Sequence, residues 1–262
     1  MSPPPSAAGR HDDAHREQQA RSFGAVAEEY DRVRPGYPAE VVRWALGEAP
    51  LRVLDLGAGT GKATRVLLEQ GHDVVAVEPD PQMRERLRSV SPQVRALAGT
   101  GEAVPLPDGS VDAVLVAQAW HWMDHGRAAV EVARVLRPGG VLVLLWNVRD
   151  RQDPVARVVS GAVARHAPEL AERARADSHA DRLDVSVPDP RLVAAGTHAV
   201  DSSLRCSVDD LLALVSTWSY VALSPHREAL LAEVARGAAG LVGPDGRVRL
   251  GQSAHAHRFR RG

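Results

Sequence analysis

Short apolar runs alternate with helical segments along the first half of the chain. The runs predict buried β-strands, because they are short and the first of them ends abruptly in glycines. These strands are predicted at residues 52–57, 73–78, 94–98, 111–118 and 141–146. Helices are predicted around and between them at residues 39–46, 62–70, 79–90 and 127–136. Strands that are apolar on both faces and alternate with helices indicate a parallel sheet covered by helices on both sides.

The N-terminal stretch is proline-rich and then polar, which predicts a disordered tail over residues 1–18, with a frayed helix start as the alternative. A short helix is predicted over about residues 12–30, before two helix-breaking prolines. Phe23, Tyr30 and Tyr37 give this region aromatic surface that a lone helix cannot bury. We therefore expect the N-terminal helix to act as a lid.

The alternation of strands and helices ends in the second half of the chain, where Ala- and Arg-rich helical patterns appear. Helices are predicted at residues 154–185, 190–195, 207–221 and 224–238, the last two with a serine N-cap. A strand is predicted at residues 198–207, with residues 247–259 as an edge strand beside it. The chain is therefore expected to form one domain with helical insertions, and residues 151–240 are expected to contribute a helical substrate cap.

Composition narrows the class of protein. With 262 residues, 44% hydrophobic and 25% charged, the chain has the balance of a soluble globular protein. Its formal net charge of -1 gives no excess of positive charge of the kind that binds nucleic acid. The single cysteine, Cys206, excludes an internal disulfide and fits a reducing cytosol. No apolar run approaches the roughly 20 residues of a membrane span, and no signal-peptide core is present, so we expect a cytoplasmic protein.

The segment LDLGAGTG at residues 54–61 is the most informative stretch of the sequence. Its glycines let backbone approach a ligand closely and turn the chain from a strand into a helix. A phosphate-binding P-loop needs glycine and Ser or Thr where this chain has Leu56 and Ala63. A dinucleotide-binding turn needs a small residue where this chain has Lys62. Neither kind of phosphate site therefore matches the segment.

Two carboxylates accompany this loop. Asp55, two residues ahead of Gly57, would repel a pyrophosphate and suits a cationic ligand that carries an amine or a sulfonium. Glu78 ends the second strand, 21 residues after Gly57, where a carboxylate can accept hydrogen bonds from ribose hydroxyls. The alternative is that Glu78 is simply a solvated residue at the end of the strand.

Four motifs occur in order within about residues 20–148. They are LDLGAGTG, VVAVEPDPQM, AGTGEAVPLPDGSVDAVLVAQAWHW and VLRPGGVLVLLW. Together they resemble the class I methyltransferases of the broad type-11 group. The resemblance implies an α/β fold with a Rossmann-like, seven-stranded, mostly parallel sheet and one antiparallel strand, in a methyltransferase domain over residues 19–262. It also implies S-adenosylmethionine as cofactor.

The same resemblance implies roles for individual residues. The methionine part of the cofactor is expected to lie on Asp55, Gly57, Ala58, Gly59 and Gly61. The ribose is expected at Glu78, and the adenine against Met83, Thr100, Gly101 and Glu102. Ala117 and Gln118 are expected to line the cofactor from the fourth strand, and Tyr30 from the lid. The family often has an acidic residue at the position of Thr100.

A narrower resemblance concerns three short motifs. FGAVAEEYDRVRPGYP at residues 23–38, AWHWMD at 119–124 and STWSY at 216–220 are similar to the trans-aconitate methyltransferase branch, which methylates carboxylates of small acids. A carboxylate is ionised at neutral pH and needs no general base. A phenol or an amine usually needs one, and His121 is then the candidate base.

The acceptor site is predicted from five residues, each with a structural alternative. His121 and Trp122 are the catalytic candidates, but His121 could instead cap a helix and Trp122 could belong to the core. Arg34 is expected to offer its guanidinium to a second carboxylate, or else to lie on the surface. Trp218 and Tyr220 are expected to wall the acceptor pocket, with core packing as the alternative for either. No metal is expected, because no His, Cys or acidic cluster has a ligand pattern.

Three classes of function remain open at this point. The first is a small-molecule methyltransferase that acts on a carboxylate oxygen, with oxygen or nitrogen methylation of a phenolic or amine metabolite as the alternative. The second is an enzyme that modifies RNA or protein, against which the charge balance argues. The third is a protein that binds the cofactor without turnover. The sequence identifies neither the acceptor nor the oligomeric state.

Overall fold

The computed structural model describes residues 27–168, 185–222 and 224–262. The helices are α1 Ala27–Val33, α2 Ala39–Leu46, α3 Lys62–Glu69, α4 Pro81–Val90, α5 His125–Val135, α6 Pro154–His166, α7 Val208–Ser216, α8 Ser219–Ala222 and α9 Arg227–Ala239. The strands are β1 Arg52–Leu56, β2 Asp73–Val77, β3 Arg95–Leu97, β4 Val111–Ala117, β5 Leu136–Arg149, β6 Leu192–Cys206 and β7 Val248–Arg261. The predicted tail and most of the predicted lid helix lie outside the described residues.

The strands form one seven-stranded sheet in the order β3-β2-β1-β4-β5-β7-β6. The first five strands are parallel to one another, and β7 runs antiparallel to both β5 and β6. This topology confirms the predicted mostly parallel sheet. The carboxyl ends of β1, β2, β4 and β5 meet at one edge of the sheet, where open α/β folds bind their ligands.

Both faces of the parallel part are covered, as predicted. Alternate residues of a strand enter different core clusters, because successive side chains point to opposite faces. Leu54 and Leu56 of β1 belong to the cluster packed against α5, whereas Val53 belongs to the cluster packed against α2 and α3. Neighbouring residues of β4 divide in the same manner, with Val114 in the first cluster and Leu115 in the second. The continuous apolar runs of the sequence therefore correspond to strands buried on both faces.

The antiparallel end of the sheet differs from the prediction in two ways. The sequence predicts residues 247–259 at the edge, but β7 lies inside the sheet and β6 forms the edge. Ala254 and Ala256 are almost completely buried in β7, whereas Val193 of β6 is 60% exposed. The helix predicted at residues 190–195 is also wrong, because Leu192 already pairs with Arg261 and begins β6. In both cases the ladder between distant segments decides the local structure.

A third hydrophobic cluster joins α6, α7 and α9 with Val33 of α1 and with Leu250 of β7. The helical part of the predicted cap interval is therefore divided by the long strand β6. Ser207 caps α7 as predicted, since its side chain accepts a hydrogen bond from the backbone N–H of Asp210. The predicted serine cap of α9 is wrong, because this helix begins at Arg227 after an N-cap position at His226. Within the described residues, no helix combines the length and the apolar composition that a membrane span requires.

Candidate active site

The glycine loop follows β1 and leads directly into α3. Gly57, Gly59 and Gly61 adopt φ values of 72°, 56° and 85°, in the left-handed region that favours glycine. The loop is fixed to β2, because the N–H groups of Gly57 and Ala58 both donate to the carbonyl of Val77, at 2.8 and 3.2 Å. These contacts hold the backbone of the loop against the carboxyl ends of β1 and β2.

Asp55 is fully buried beneath this loop. Its Oδ2 accepts a hydrogen bond from the Thr64 hydroxyl at 2.6 Å, whereas its Oδ1 is buried without a hydrogen-bond partner among the described residues. Burial raises the pKa of Asp55 to about 6, although the hydrogen bonds from Thr64 oppose the shift. A buried carboxylate oxygen without a partner is costly, so this position favours a ligand that brings a donor or a positive charge.

Glu78 lies at the end of β2 and is 8% exposed. Its Oε2 accepts from the N–H of Gly59 at 2.8 Å, and its Oε1 accepts from the N–H of Asp80 at 2.9 Å. Burial is the main reason that the pKa of Glu78 is raised to about 7, and the charges of Asp80 and Asp55 add to the shift. Each carboxylate oxygen can accept a further hydrogen bond. The two backbone contacts therefore orient the carboxylate and leave both of its oxygens able to accept hydrogen bonds from a ligand.

A cavity of about 920 Å³ opens above the loop at the carboxyl edge of the sheet. It brings together most of the residues that the sequence predicts for the cofactor. Those that line it are Tyr30, Asp55, Gly57, Ala58, Gly59, Glu78, Met83, Thr100, Gly101, Glu102, Ala117 and Gln118. Gly61 is not part of the lining and stands at the N-cap position of α3. Of the acceptor candidates, the lining includes Arg34, His121, Trp122 and Trp218. The side chain of Tyr220 lies outside the described part of the chain.

Comparison with known proteins decides the family. A profile described as a methyltransferase domain matches residues 54–144. An uncharacterized methyltransferase of Mycobacterium tuberculosis is 46% identical over 210 residues, which cover 80% of this chain and 82% of that protein. A solved structure from Anaeromyxobacter dehalogenans, named as a type II methyltransferase, matches with a TM-score of 0.67 at 30% identity, over 87% of this chain and 97% of that chain. The chain belongs to the methyltransferase family.

The cofactor of this class I methyltransferase is S-adenosylmethionine, and the floor of the cavity fits it. The unpaired Oδ1 of Asp55 suits a cationic amino-acid end. The oriented carboxylate of Glu78 suits the hydroxyl donors of a ribose. A Cβ atom at Gly57 would stand 2.6 Å from the Cβ of Ala119. Only glycine therefore allows the turn to approach the loop after β4 this closely. Two carboxylates at this position would repel a polyphosphate.

The loop after β4 contributes the aromatic part of the site in the methyltransferase. His121 and Trp122 belong to the 3₁₀ turn Trp120–Trp122, and their ring centroids are 4.7 Å apart. Trp120 instead points into the core and is 1% exposed. Packing in the core, which was the alternative for Trp122, is therefore observed for Trp120, two residues earlier. Gln118 follows β4 with a φ of 57°, and its Nε2 donates to the carbonyl of Asn147 at 2.9 Å.

Asp31 ties α1 to the glycine loop, a contact that sequence reasoning missed. Its carboxylate accepts from the Thr60 hydroxyl at 3.0 Å and pairs with Arg65 at 2.7 Å and Arg86 at 3.1 Å. Lys62 Nζ lies 3.9 Å from the same carboxylate. Although burial opposes ionisation, the hydrogen bond and charge of Arg65 hold the pKa of Asp31 below its usual value. The helix therefore lies beside the cavity, held there by an ionic cluster around the buried Asp31.

Two arginines of the methyltransferase converge on the C-terminal end of α7. Arg34 donates from Nε to the Thr217 hydroxyl at 3.0 Å and from Nη2 to the Thr217 carbonyl at 3.1 Å. The guanidinium of Arg149 lies over the ring of Trp218, 3.7 Å from its centroid. Arg149 and Gln252 line the cavity, but sequence reasoning did not select them. A signal was present for Arg149, because it follows the carboxyl end of a predicted strand.

Proposed function

We propose that this methyltransferase acts on a small organic acid and transfers the methyl group to a carboxylate oxygen. The observation that carries the proposal is the convergence of Arg34 and Arg149 at Thr217 and Trp218, beside the same cavity. Guanidinium groups recognise carboxylates through paired hydrogen bonds. The similarity of AWHWMD and STWSY to the trans-aconitate methyltransferase branch supports the same acceptor class.

The charges of the cavity support a division into a cofactor part and an acceptor part. The acidic lining residues Asp55, Glu78, Asp80 and Glu102 lie at or after the ends of β1, β2 and β3, on the side assigned to the cofactor. Lys62 also lines this side, 3.9 Å from the carboxylate of Asp31. Arg34 and Arg149 lie on the side of the helical cap. A cationic cofactor and an anionic acceptor would therefore each meet the opposite charge, and this favours binding of both.

The proposed cofactor contacts follow from the same cavity. Asp55 would hold the amino end, Glu78 the ribose, and Met83 the adenine, with the glycine loop beneath the methionine part. The remaining residues of the proposed cofactor site are Thr100, Gly101, Glu102, Ala117, Gln118 and Tyr30. When bound, S-adenosylmethionine supplies a methyl group whose bond to sulfur breaks, with its electron pair left on sulfur, as a carboxylate oxygen forms the new bond to carbon.

The protein's own contribution is alignment and exclusion of water. A carboxylate needs no proton removed, so the task of the acceptor side is to hold one oxygen in line with the methyl group. Trp122 and Trp218 would wall the pocket, and His121 would orient the acid. The helix α1, tied down by Asp31, would act as a lid over the reacting groups. The helical cap within residues 151–240 would shape the acceptor pocket.

The pH dependence of turnover tests the acceptor class. At saturating cofactor, methylation of an acid is expected to keep a flat rate from about pH 6 to about pH 8, above the pKa of the acceptor. His121→Gln is expected to retain most of that rate, since no base takes part. The competing hypothesis is methylation of a phenol or an amine with His121 as base. It requires a rate that rises through about pH 6.5 and is lost in His121→Gln, and that result would replace our proposal.

Cofactor affinity is expected to rise with pH between about 5.5 and 7.5. Burial raises the pKa of Asp55 to about 6 and that of Glu78 to about 7, so both are partly protonated at the lower end of this range. A cationic ligand with hydroxyl donors favours the ionised carboxylates, and binding should therefore release protons. Calorimetry in two buffers of different ionisation enthalpy measures this release. Equal affinity at both ends of the range would contradict the assignment of these carboxylates to the cofactor.

The same pKa values have a consequence for stability without cofactor. Both folded-state values lie above the unfolded values of about 4, so the folded protein binds more protons between about pH 4 and pH 7. The contribution of Asp55 and Glu78 to the free energy of unfolding therefore falls as pH rises through this window. Bound cofactor should reverse that trend by favouring the ionised forms.

A further inference from the structure

We propose that Arg149 and Gln252, beside the ring of Trp218, form a subsite for a non-reacting carboxylate of the acceptor. This inference rests on the proposed function and names the residues that would select the acid. It adds Arg149 to the predicted carboxylate contact of Arg34, because Arg149 lies opposite Gln252 in the sheet and both residues line the cavity.

The sheet places the two side chains together. Arg149 of β5 and Gln252 of β7 are directly opposite each other in the antiparallel ladder. Side chains of directly opposed residues lie on the same face of a sheet, with Cβ atoms about 4.5–5.5 Å apart. Both residues line the cavity, so this shared face is the face that a ligand meets.

Gln252 has the character of a ligand contact. The residue is 8% exposed, and it lines the cavity. The amide can donate two hydrogen bonds, so it can serve one carboxylate oxygen beside a guanidinium.

The aromatic ring of Trp218 fixes the other half of the subsite. The guanidinium of Arg149 lies 3.7 Å from the centroid of that ring, and Trp218 is 6% exposed. A guanidinium held over an aromatic face can still direct N–H groups of its plane to a planar carboxylate. The subsite therefore combines one fixed positive charge with one neutral amide donor.

Direct binding tests the subsite independently of turnover. The protein, saturated with S-adenosylhomocysteine to prevent reaction, is titrated in a calorimeter with malonate, fumarate and trans-aconitate. Arg149→Met is expected to weaken binding of the acids by about 10- to 100-fold, through loss of charged hydrogen bonds. Gln252→Glu is expected to do the same, because the new carboxylate repels the acid and pairs with Arg149. The control Arg157→Met removes an equal charge from the exposed face of α6 and should leave affinity unchanged.

The outcomes separate the subsite from the reaction. Equal affinity in wild type, Arg149→Met and Gln252→Glu would overturn the subsite, as would the absence of binding for all three acids. Binding that depends on both residues, without methylation of any acid, would support the subsite and refute the proposed reaction. Methylation of an acid with unchanged KM in both variants would support the proposed reaction and refute the subsite. Retained cofactor affinity and an unchanged unfolding transition show that each variant is folded.

Discussion

Glu78→Ala is expected to weaken binding of S-adenosylmethionine by about 30- to 1000-fold, equivalent to about 2–4 kcal/mol. The reason is the geometry of its carboxylate, which the N–H groups of Gly59 and Asp80 hold in one orientation. The substitution removes the proposed acceptor of the ribose hydroxyls and also the contact that fixes Gly59. Calorimetric titration with the cofactor measures the loss.

Two further variants make this result specific. Glu85→Ala removes a carboxylate from the solvent-exposed side of α4, where Glu85 is 75% exposed, and should leave affinity unchanged. Glu78→Gln keeps the size and one acceptor oxygen and should lie between wild type and Glu78→Ala. If Glu78→Ala folds normally and binds the cofactor like wild type, Glu78 does not contact the cofactor.

Gly57→Ala is expected to lower the free energy of unfolding by about 2–5 kcal/mol, the sum of a left-handed backbone penalty and steric overlap. Gly57 has a φ of 72°, and an added Cβ would stand 2.6 Å from the Cβ of Ala119. Neither atom is the end of a flexible side chain, so the turn and the loop after β4 must move apart. Chemical unfolding measures the stability, and cofactor titration should show a parallel loss of affinity.

Gly71→Ala separates the two causes. Gly71 has a φ of 81°, but an added Cβ there meets nothing within 4 Å. This control should therefore lose only the backbone penalty, about 1–2 kcal/mol. Equal losses of stability in Gly57→Ala and Gly71→Ala would show that the approach of Ala119 does not constrain the loop.

The acceptor side was only partly predictable from sequence. The motif AWHWMD selects His121 and Trp122, and both line the cavity. The choice between Trp120 and Trp122 as the buried ring depends on the direction of the 3₁₀ turn, which the motif does not reveal. Arg149 and Gln252 are 103 residues apart in number (252 − 149), and only the pairing of β5 with β7 makes them neighbours.

The sequence by itself determined the parallel part of the sheet, the glycine loop and the carboxylates Asp55 and Glu78. These features are local, because a buried strand and the turn after it are encoded by consecutive residues. Only the tertiary structure decided that β7 lies inside the sheet, that Asp31 joins α1 to the loop, and that Arg149 meets Trp218. Each of these contacts joins segments far apart in the chain. Their partners are selected by packing and charge in three dimensions, which no local pattern records.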